Sequence, residues 1–356
     1  MRSQRWGLEL EFTGITRYEA AEVLAKYLNS SVRHRGGSYD KYVVADNIGR
    51  DWTLMSDASI NEQKKIHGEV QSADRNYAVE LVTPICHYDD IQPLQEMVRQ
   101  LRKAGAFVNS SCGIHVHVDG AGHTPRSIRN IINIVASKND MLYKSLEINS
   151  GRMNYCKALD SALIDRFNRY QPQTMQAVSD IWYSEYSESR TSHYHDSRYH
   201  LLNLHSFFNG NGTIELRGFN ATMHAGKIKT YIQLSLAMCH QAKIQRTASR
   251  IVTQSDNPKY TFRTYLLRLG LIGDEFKTAR HHLLEPLPGN IAWRDPAQAE
   301  RQKERQRAAR EAKLAKEMAE REAEVVDSQT SDADVTETEF PEPDMVVGME
   351  LTTGGM

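Results

Sequence analysis

The sequence predicts an α+β fold in which a sheet of alternating strands is packed against amphipathic helices. Three observations carry that expectation. Three well-separated stretches alternate apolar and polar residues with a period of two, the segments between them repeat apolar residues at helical spacing, and the polar positions of the alternating stretches hold acids, imidazoles and a guanidinium.

The most informative stretch is 111 to 120, S-C-G-I-H-V-H-V-D-G. Ile114, Val116 and Val118 leave one face of a strand, so His115, His117 and Asp119 leave the other. Near the beginning, Trp6, Leu8, Leu10 and Phe12 alternate with Glu9 and Glu11, and far downstream Ile214 and Leu216 alternate with Glu215 and Arg217. Any one of these could be the solvent side of a half-exposed strand. Side by side in one sheet they would form a wall of carboxylates, imidazoles and a guanidinium, a surface suited to Mg²⁺ and phosphate. Glu80 is an acid inside the apolar run Tyr77 to Val82, where a charge is costly unless it is paired or bound to a cation.

The intervening elements follow in order. Thr16 caps a helix through Leu28, which stops at the polar Asn29-Ser30-Ser31, and Tyr39 to Ala45 and Trp52 to Met55 read as extended. Ser56 to Ser59 reads as a loop, and Ile91 to Lys103 as an amphipathic helix with basic residues in its last turn. Thr124 and Pro125 open a helix whose stripe runs from Ile128 to Leu146. The segment 149–198, rich in Tyr, Ser, Arg and His, reads as loops and short helices over the site. His193 and His195, spaced H-x-H, read there as surface histidines rather than a second metal site. Tyr199 to Phe208 reads as extended, with Gly210-Asn211-Gly212 as a hairpin turn, and helices are expected over Lys227 to Ile244 and Tyr260 to Leu271.

A chain of 356 residues with 40% hydrophobic content supports one large domain of about residues 1–293 with an appendage. Residues 294–324 read as a charged helix held by i,i+4 pairs, and 325–356 as a disordered acidic tail. A net charge of −1 gives no global footprint for nucleic acid. There is no run long enough to span a membrane and no apolar signal-peptide core after M-R-S-Q-R-W, and the four scattered cysteines suit a reducing compartment, so a cytoplasmic protein is expected.

With these strands placed, the chain resembles the amidoligases, relatives of glutamine synthetase and glutamate-cysteine ligase. The resemblance rests on the ordered set G-L-E-L-E-F at 7 to 12, D-A-S at 57 to 59, V-E-L-V-T-P at 79 to 84, S-C-G-I-H-V-H-V-D at 111 to 119, R-Y-H-L-L-N-L at 198 to 204 and T-I-E-L-R-G-F-N-A-T at 213 to 222. It implies a curved, mainly antiparallel sheet of glutamine-synthetase-like type, ATP and Mg²⁺ or Mn²⁺ as cofactors, and amide formation through an acyl phosphate. Carried over by residue, it implies metal roles for Glu9, Glu11, Glu80, His115 and Glu215. His117 falls nearer the nucleotide and Arg217 at the transferring phosphate, with Arg198 and Arg152 as further catalytic candidates. The chain departs from the pattern at Ala58, where glycine is usual, and at Thr213, where glutamine synthetases carry an arginine.

The expected partners are a carboxylate and an amine, free or part of a peptide or protein, with the tail as a docking arm and no nucleic acid or membrane. The alternatives are a metal-dependent hydrolase using the His115/His117 strand, a thiol acyl transferase using Cys112, and a non-catalytic scaffold retaining the fold.

Overall fold

The computed structural model describes residues 1–331. By contacts the chain divides into a unit Met1–Pro296 and a unit that begins at Ala297. The first unit contains, in order, β1 (Trp6–Phe12), α1 (Arg17–Leu28), β2 (Val32–Gly36), β3 (Lys41–Ala45), β4 (Asp51–Met55), β5 (Gln63–Ile66), β6 (Glu69–Ser72) and β7 (Val79–Val82). It continues with α2 (Ile91–Lys103), β8 (Gly113–Asp119), α3 (Pro125–Leu146), α4 (Ser161–Tyr170), α5 (Met175–Trp182), β9 (Leu202–Asn203), α6 (His205–Asn209), β10 (Thr213–Asn220), α7 (Ala225–Ile244), α8 (Pro258–Arg268) and α9 (Lys277–Leu284). A charged helix, α10, spans Pro296–Ser331; the remainder of the expected tail, 332–356, lies outside the described residues.

Eight strands form one antiparallel sheet in the order β2-β3-β4-β7-β1-β8-β10-β9. The β7-α2-β8 crossover leaves a gap one strand wide, and β1 fills it, antiparallel to both neighbours. The fold is thus mixed α and β with a large antiparallel sheet. β5 and β6 form a separate hairpin.

Alternation decides what each face of the sheet does. Trp6, Leu8, Leu10, Phe12, Leu81, Ile114, Val116, Val118, Ile214 and Leu216 are buried on one side, where helices α1, α2, α3 and α7 pack on the sheet and on one another. Each fully buried aliphatic side chain contributes about 1.5–3 kcal/mol, so this face holds the sheet rigid. The helices start where the sequence signals them. Thr16 and Glu19 form a reciprocal capping box on α1, and Thr124 caps α3 with Pro125 in its first turn. Among the described residues no helix is long and apolar enough to cross a membrane.

Two local expectations need correction, and two further elements had not been expected. Tyr199 to Phe208 is not a strand with a hairpin turn after it. Only Leu202–Asn203 pairs, and the short helix α6 follows, its last residue Asn209 preceding Gly210. Strand β2 lies directly after the Asn29-Ser30-Ser31 stop and went unseen because its mostly exposed V-R-H-R-G has no apolar alternation. The hairpin β5-β6, with β6 wholly exposed, escaped for the same reason. His195 is not a surface histidine; it is fully buried and stacks on His205 at 5.1 Å between ring centres.

Candidate active site

The register of the four central strands brings the predicted polar residues together. Glu9 of β1 stands opposite His115 of β8, Glu11 opposite Glu80 of β7, and His117 opposite Glu215 of β10. Directly opposed residues share a face of the sheet, so the acids of β1 and β7, the histidines of β8 and the Glu215/Arg217 pair all meet on the side away from the helices. They are not solvated. Glu11, Glu80, His115, Glu215 and Arg217 are buried, Glu215 to 2% exposure, and Glu9 and His117 are partly so.

Two trios of ligand atoms sit on this face, each close enough to share an ion: Glu9, His117 and Glu215, and Glu11, Asp57 and Glu80. His115 lies between them. Its Nδ1 is 2.8 Å from Glu9 Oε2 and 3.7 Å from Glu215 Oε1, and its Nε2 is 3.9 Å from Glu11 Oε1. Around the first trio positive charge is abundant. Arg217 Nη1 donates to Glu215 Oε1 at 2.7 Å, and Asn203 Nδ2 donates to Glu215 Oε2 at 2.6 Å. Burial works against the charged form of Glu215, but Arg217 and the two imidazoles overcome it and hold its carboxyl low. For Glu9, burial is likewise outweighed by His117 and His115, and its carboxyl falls well below the usual range. His117 is pushed up to about 9, because Glu9 and Glu215 outweigh burial. Its Nε2 lies 3.2 Å from Glu9 Oε1 and is buried without a well-formed hydrogen bond, and Arg217 Nε is likewise buried without one.

The second trio lacks such support. Glu11 accepts one bond, from the Gly113 N–H at 2.6 Å, and burial pushes its carboxyl up. Burial and the charges of Glu9, Glu11 and Asp57 drive Glu80 well above the normal range. Buried carboxylates that repel one another could hold a cation by the chemistry of the donor set, since hard divalent cations take oxygen ligands and Mg²⁺ keeps places for further oxygens. A cleft of about 460 Å³ opens beside the first trio, with Glu9, His117 and Thr213 on its inner wall and Arg5, Pro84 and Asn211 among its other lining residues.

The two remaining arginines are placed differently. Arg152 is buried and donates to the carbonyls of Phe219 and Arg217, so it holds the bulged part of β10 between Leu216 and Phe219. Its guanidinium lies across Gly113, so a Cβ there would displace it from the carbonyls it holds. Arg198 keeps to the segment 149–198. It donates to His193 O at 2.9 Å and lies over the rings of Tyr194 and Tyr199. Cys112 is no nucleophile as it stands, being buried, with its thiol raised to about 11 by burial.

Sequence reasoning missed three residues. Asp57 carried a signal, an acid just past the end of a short strand, but nothing in the chain said that β4 lies next to β7. Asn203 lies in the run R-Y-H-L-L-N-L and Thr213 departs from the family pattern, but neither has a site role by type alone, since amides and hydroxyls are common in strands and turns.

No curated protein matches the chain. A family model described as "Putative amidoligase enzyme" matches residues 2–239, a span that contains all eight strands of the sheet and every acid, imidazole and guanidinium of the face described above. The ordered motifs, their convergence on one buried face and this match agree, and the chain belongs to the amidoligase family.

Proposed function

We propose that this protein is an ATP-dependent carboxylate–amine ligase that makes an amide or peptide bond through an acyl phosphate, on a sheet of glutamine-synthetase-like type. The observation that carries the reading is the charge balance of the polar face. Five carboxylates (Glu9, Glu11, Asp57, Glu80 and Glu215) converge there, and among the described residues no arginine or lysine is bonded to the trio Glu11/Asp57/Glu80. A hydrolase built on one metal would need fewer acids and no guanidinium beside Glu215.

In this reading Glu9, Glu215 and the histidines would hold one Mg²⁺ or Mn²⁺, and Glu11, Asp57 and Glu80 a second. When bound, the ions neutralise the phosphates of ATP and the charge that develops as the terminal phosphoryl group moves to a carboxylate. The chain's own residues do the positioning. Glu215 fixes Arg217 by one nitrogen and leaves Nε, buried and unpartnered, to donate to a phosphoryl oxygen. His117, whose Nε2 lies 3.2 Å from Glu9 Oε1 within the first trio, would turn this nitrogen to the ion and lose its proton as the ion binds. Attack by the amine then displaces phosphate and forms the amide. Water must be excluded from the acyl phosphate, and residues 149–198 are assigned as the lid that does so. Residues 1–293 form the catalytic part, and the charged helix and tail an arm for docking a partner. The substrates are a carboxylate and an amine, free or on a peptide or protein, with no nucleic acid or membrane, and the setting is cytoplasmic.

The test is ATP turnover over mixtures of carboxylates and amines, with the nucleotide product identified. Release of ADP dependent on both substrates supports the reading. AMP would replace the acyl phosphate with an adenylate. Amide hydrolysis without ATP would overturn the ligase in favour of the hydrolase.

A further inference from the structure

Helix α6, which no sequence pattern announced, sits where its hydroxyl and backbone reach the site. Ser206 Oγ is 2.7 Å from Thr213 Oγ1, and Thr213 Oγ1 is 3.0 Å from His117 Nδ1. One residue before α6's preceding Leu204, Asn203 donates to Glu215, and its Oδ1 accepts from the His205 N–H at 2.8 Å. The opposed pair His117 and Glu215 is therefore held from behind by one turn of chain. That turn is itself anchored. Tyr183 Oη is 2.8 Å from His205 Nδ1 and accepts from Asn209 Nδ2 at 2.7 Å. Its neighbour Phe207 packs so tightly on Gly120 that a Cβ there would come within 2.5 Å of the ring.

We propose that Thr213 and Ser206 are positioning residues for His117, and that α6 couples their placement to Tyr183 in the segment 149–198. This rests on the ligase reading for its purpose but not for its geometry. An imidazole can be turned over about its Cβ–Cγ bond, which would bury Nδ1 against Glu9 and withdraw Nε2 from the cleft. A ring N–H at Nδ1 that donates to Thr213, whose own hydroxyl proton passes to Ser206, fixes the ring the other way. Nε2 is then left facing Glu9 and the cleft, where it has no hydrogen-bond partner. The chain needs a hydroxyl at 213 that can accept and donate at once. Valine, of nearly the same shape, can do neither, whereas serine can do both.

The first readout needs neither substrate nor metal. In ¹⁵N-histidine-labelled protein, the Nδ1–H of His117, assigned by its loss in His117→Gln, should be protected from exchange with water. Thr213→Val should abolish that protection, and Thr213→Ser should keep it. The second readout is Mn²⁺ affinity by paramagnetic resonance, expected to fall about tenfold in Thr213→Val, the scale of one lost buried hydrogen bond. It should return to within about threefold of wild type in Thr213→Ser, with Ser206→Ala and Tyr183→Phe affected in the same direction and less. Persistence of the protected signal in Thr213→Val, or failure of serine to restore it, overturns the positioning role. If wild type binds no Mn²⁺ while the protected signal behaves as expected, the positioning stands and the cation-dependent ligase is the reading that fails.

Discussion

The two trios on the polar face are made of similar side chains but are balanced in opposite ways. Glu9 and Glu215 are surrounded by His115, His117 and Arg217, and their carboxyls are held low. Glu11 and Glu80 share the neighbourhood of Asp57, with no arginine or lysine bonded to them among the described residues, and theirs are pushed up. The first trio has its negative charge balanced by bases within the fold itself. The second is strained by its own charges, so under the proposed ligase reading it would be the trio that responds most to a cation. The difference follows from the register. β8 and β10 supply bases on the side of Glu9, whereas β7 supplies a further acid on the side of Glu11.

That contrast can be broken most visibly at Arg217. Arg217→Met leaves Glu215 buried without its guanidinium and should cost about 3–5 kcal/mol in urea unfolding. A loss under about 1 kcal/mol would mean that the histidines alone balance this trio. Next in size is the response to ions. Mn²⁺ at a hundred times its dissociation constant should stabilise wild type by about 2.7 kcal/mol, seen as a rise in melting temperature, and Asp57→Asn should remove most of that rise. An undiminished rise would place the bound ion on Glu9 and Glu215 instead. Smaller and opposite in sign to Arg217→Met, Glu80→Gln should stabilise the metal-free protein by about 1 kcal/mol, because the fold no longer has to suppress the ionisation of a buried carboxyl among other acids, while lowering turnover steeply. Destabilisation by Glu80→Gln would show that Glu80 has an attractive partner and that the second trio is not strained.

The smallest expected effect lies outside the site and serves as a control. Arg50 bridges Asp46 at 2.8 Å and Asp90 at 2.8 Å, a balanced acid pair away from the sheet's polar face. Arg50 holds Asp90 low, and at Asp46 the bonds to the Arg50 backbone and side chain overcome burial to do the same. A depressed carboxyl contributes stability that is fully present above its unfolded value, near 3.9, and is lost as pH falls through the folded one. The stability gap between wild type and Arg50→Met should therefore stay flat from about pH 8 to pH 5 and shrink below about pH 4. A gap that varied across neutral pH would show that the titration of the polar face reaches this triad.

How much of this was legible in the sequence follows from which signals are local. Period-two alternation is local, so β1, β8 and β10 and the faces of Glu9, Glu11, His115, His117, Glu215 and Arg217 could be read directly. Capping is local too, and Thr16 and Thr124 begin their helices as expected. Strand order is not local. That β4 lies beside β7, and so puts Asp57 next to Glu80, depends on pairing across the sheet that no window of residues contains. Short polar elements such as β2 and α6 have neither periodicity nor caps strong enough to show. Helix α6 was read as extended chain because its apolar residues happen to alternate poorly in both periods. Arg152 illustrates a further limit: a buried guanidinium that holds carbonyls and one that meets substrate look alike in sequence.

The place of β1 between β7 and β8 also bears on how the molecule is assembled. The most central polar strand is the first in the chain, yet its partners lie far along it, with Leu8 bonded to Thr83 at a separation of 75 residues and Glu9 to His115 at 106. Until β7, α2 and β8 have formed around the vacant slot, β1 has no edge on either side to pair with, and its Trp6, Leu8, Leu10 and Phe12 remain in water. Closure of two long loops must precede the reward of burying them, which makes insertion of this strand a late and slow event. The same step assembles Glu9 and Glu11 between their neighbours, so the buried acidic face and the last strand of the core come into existence together.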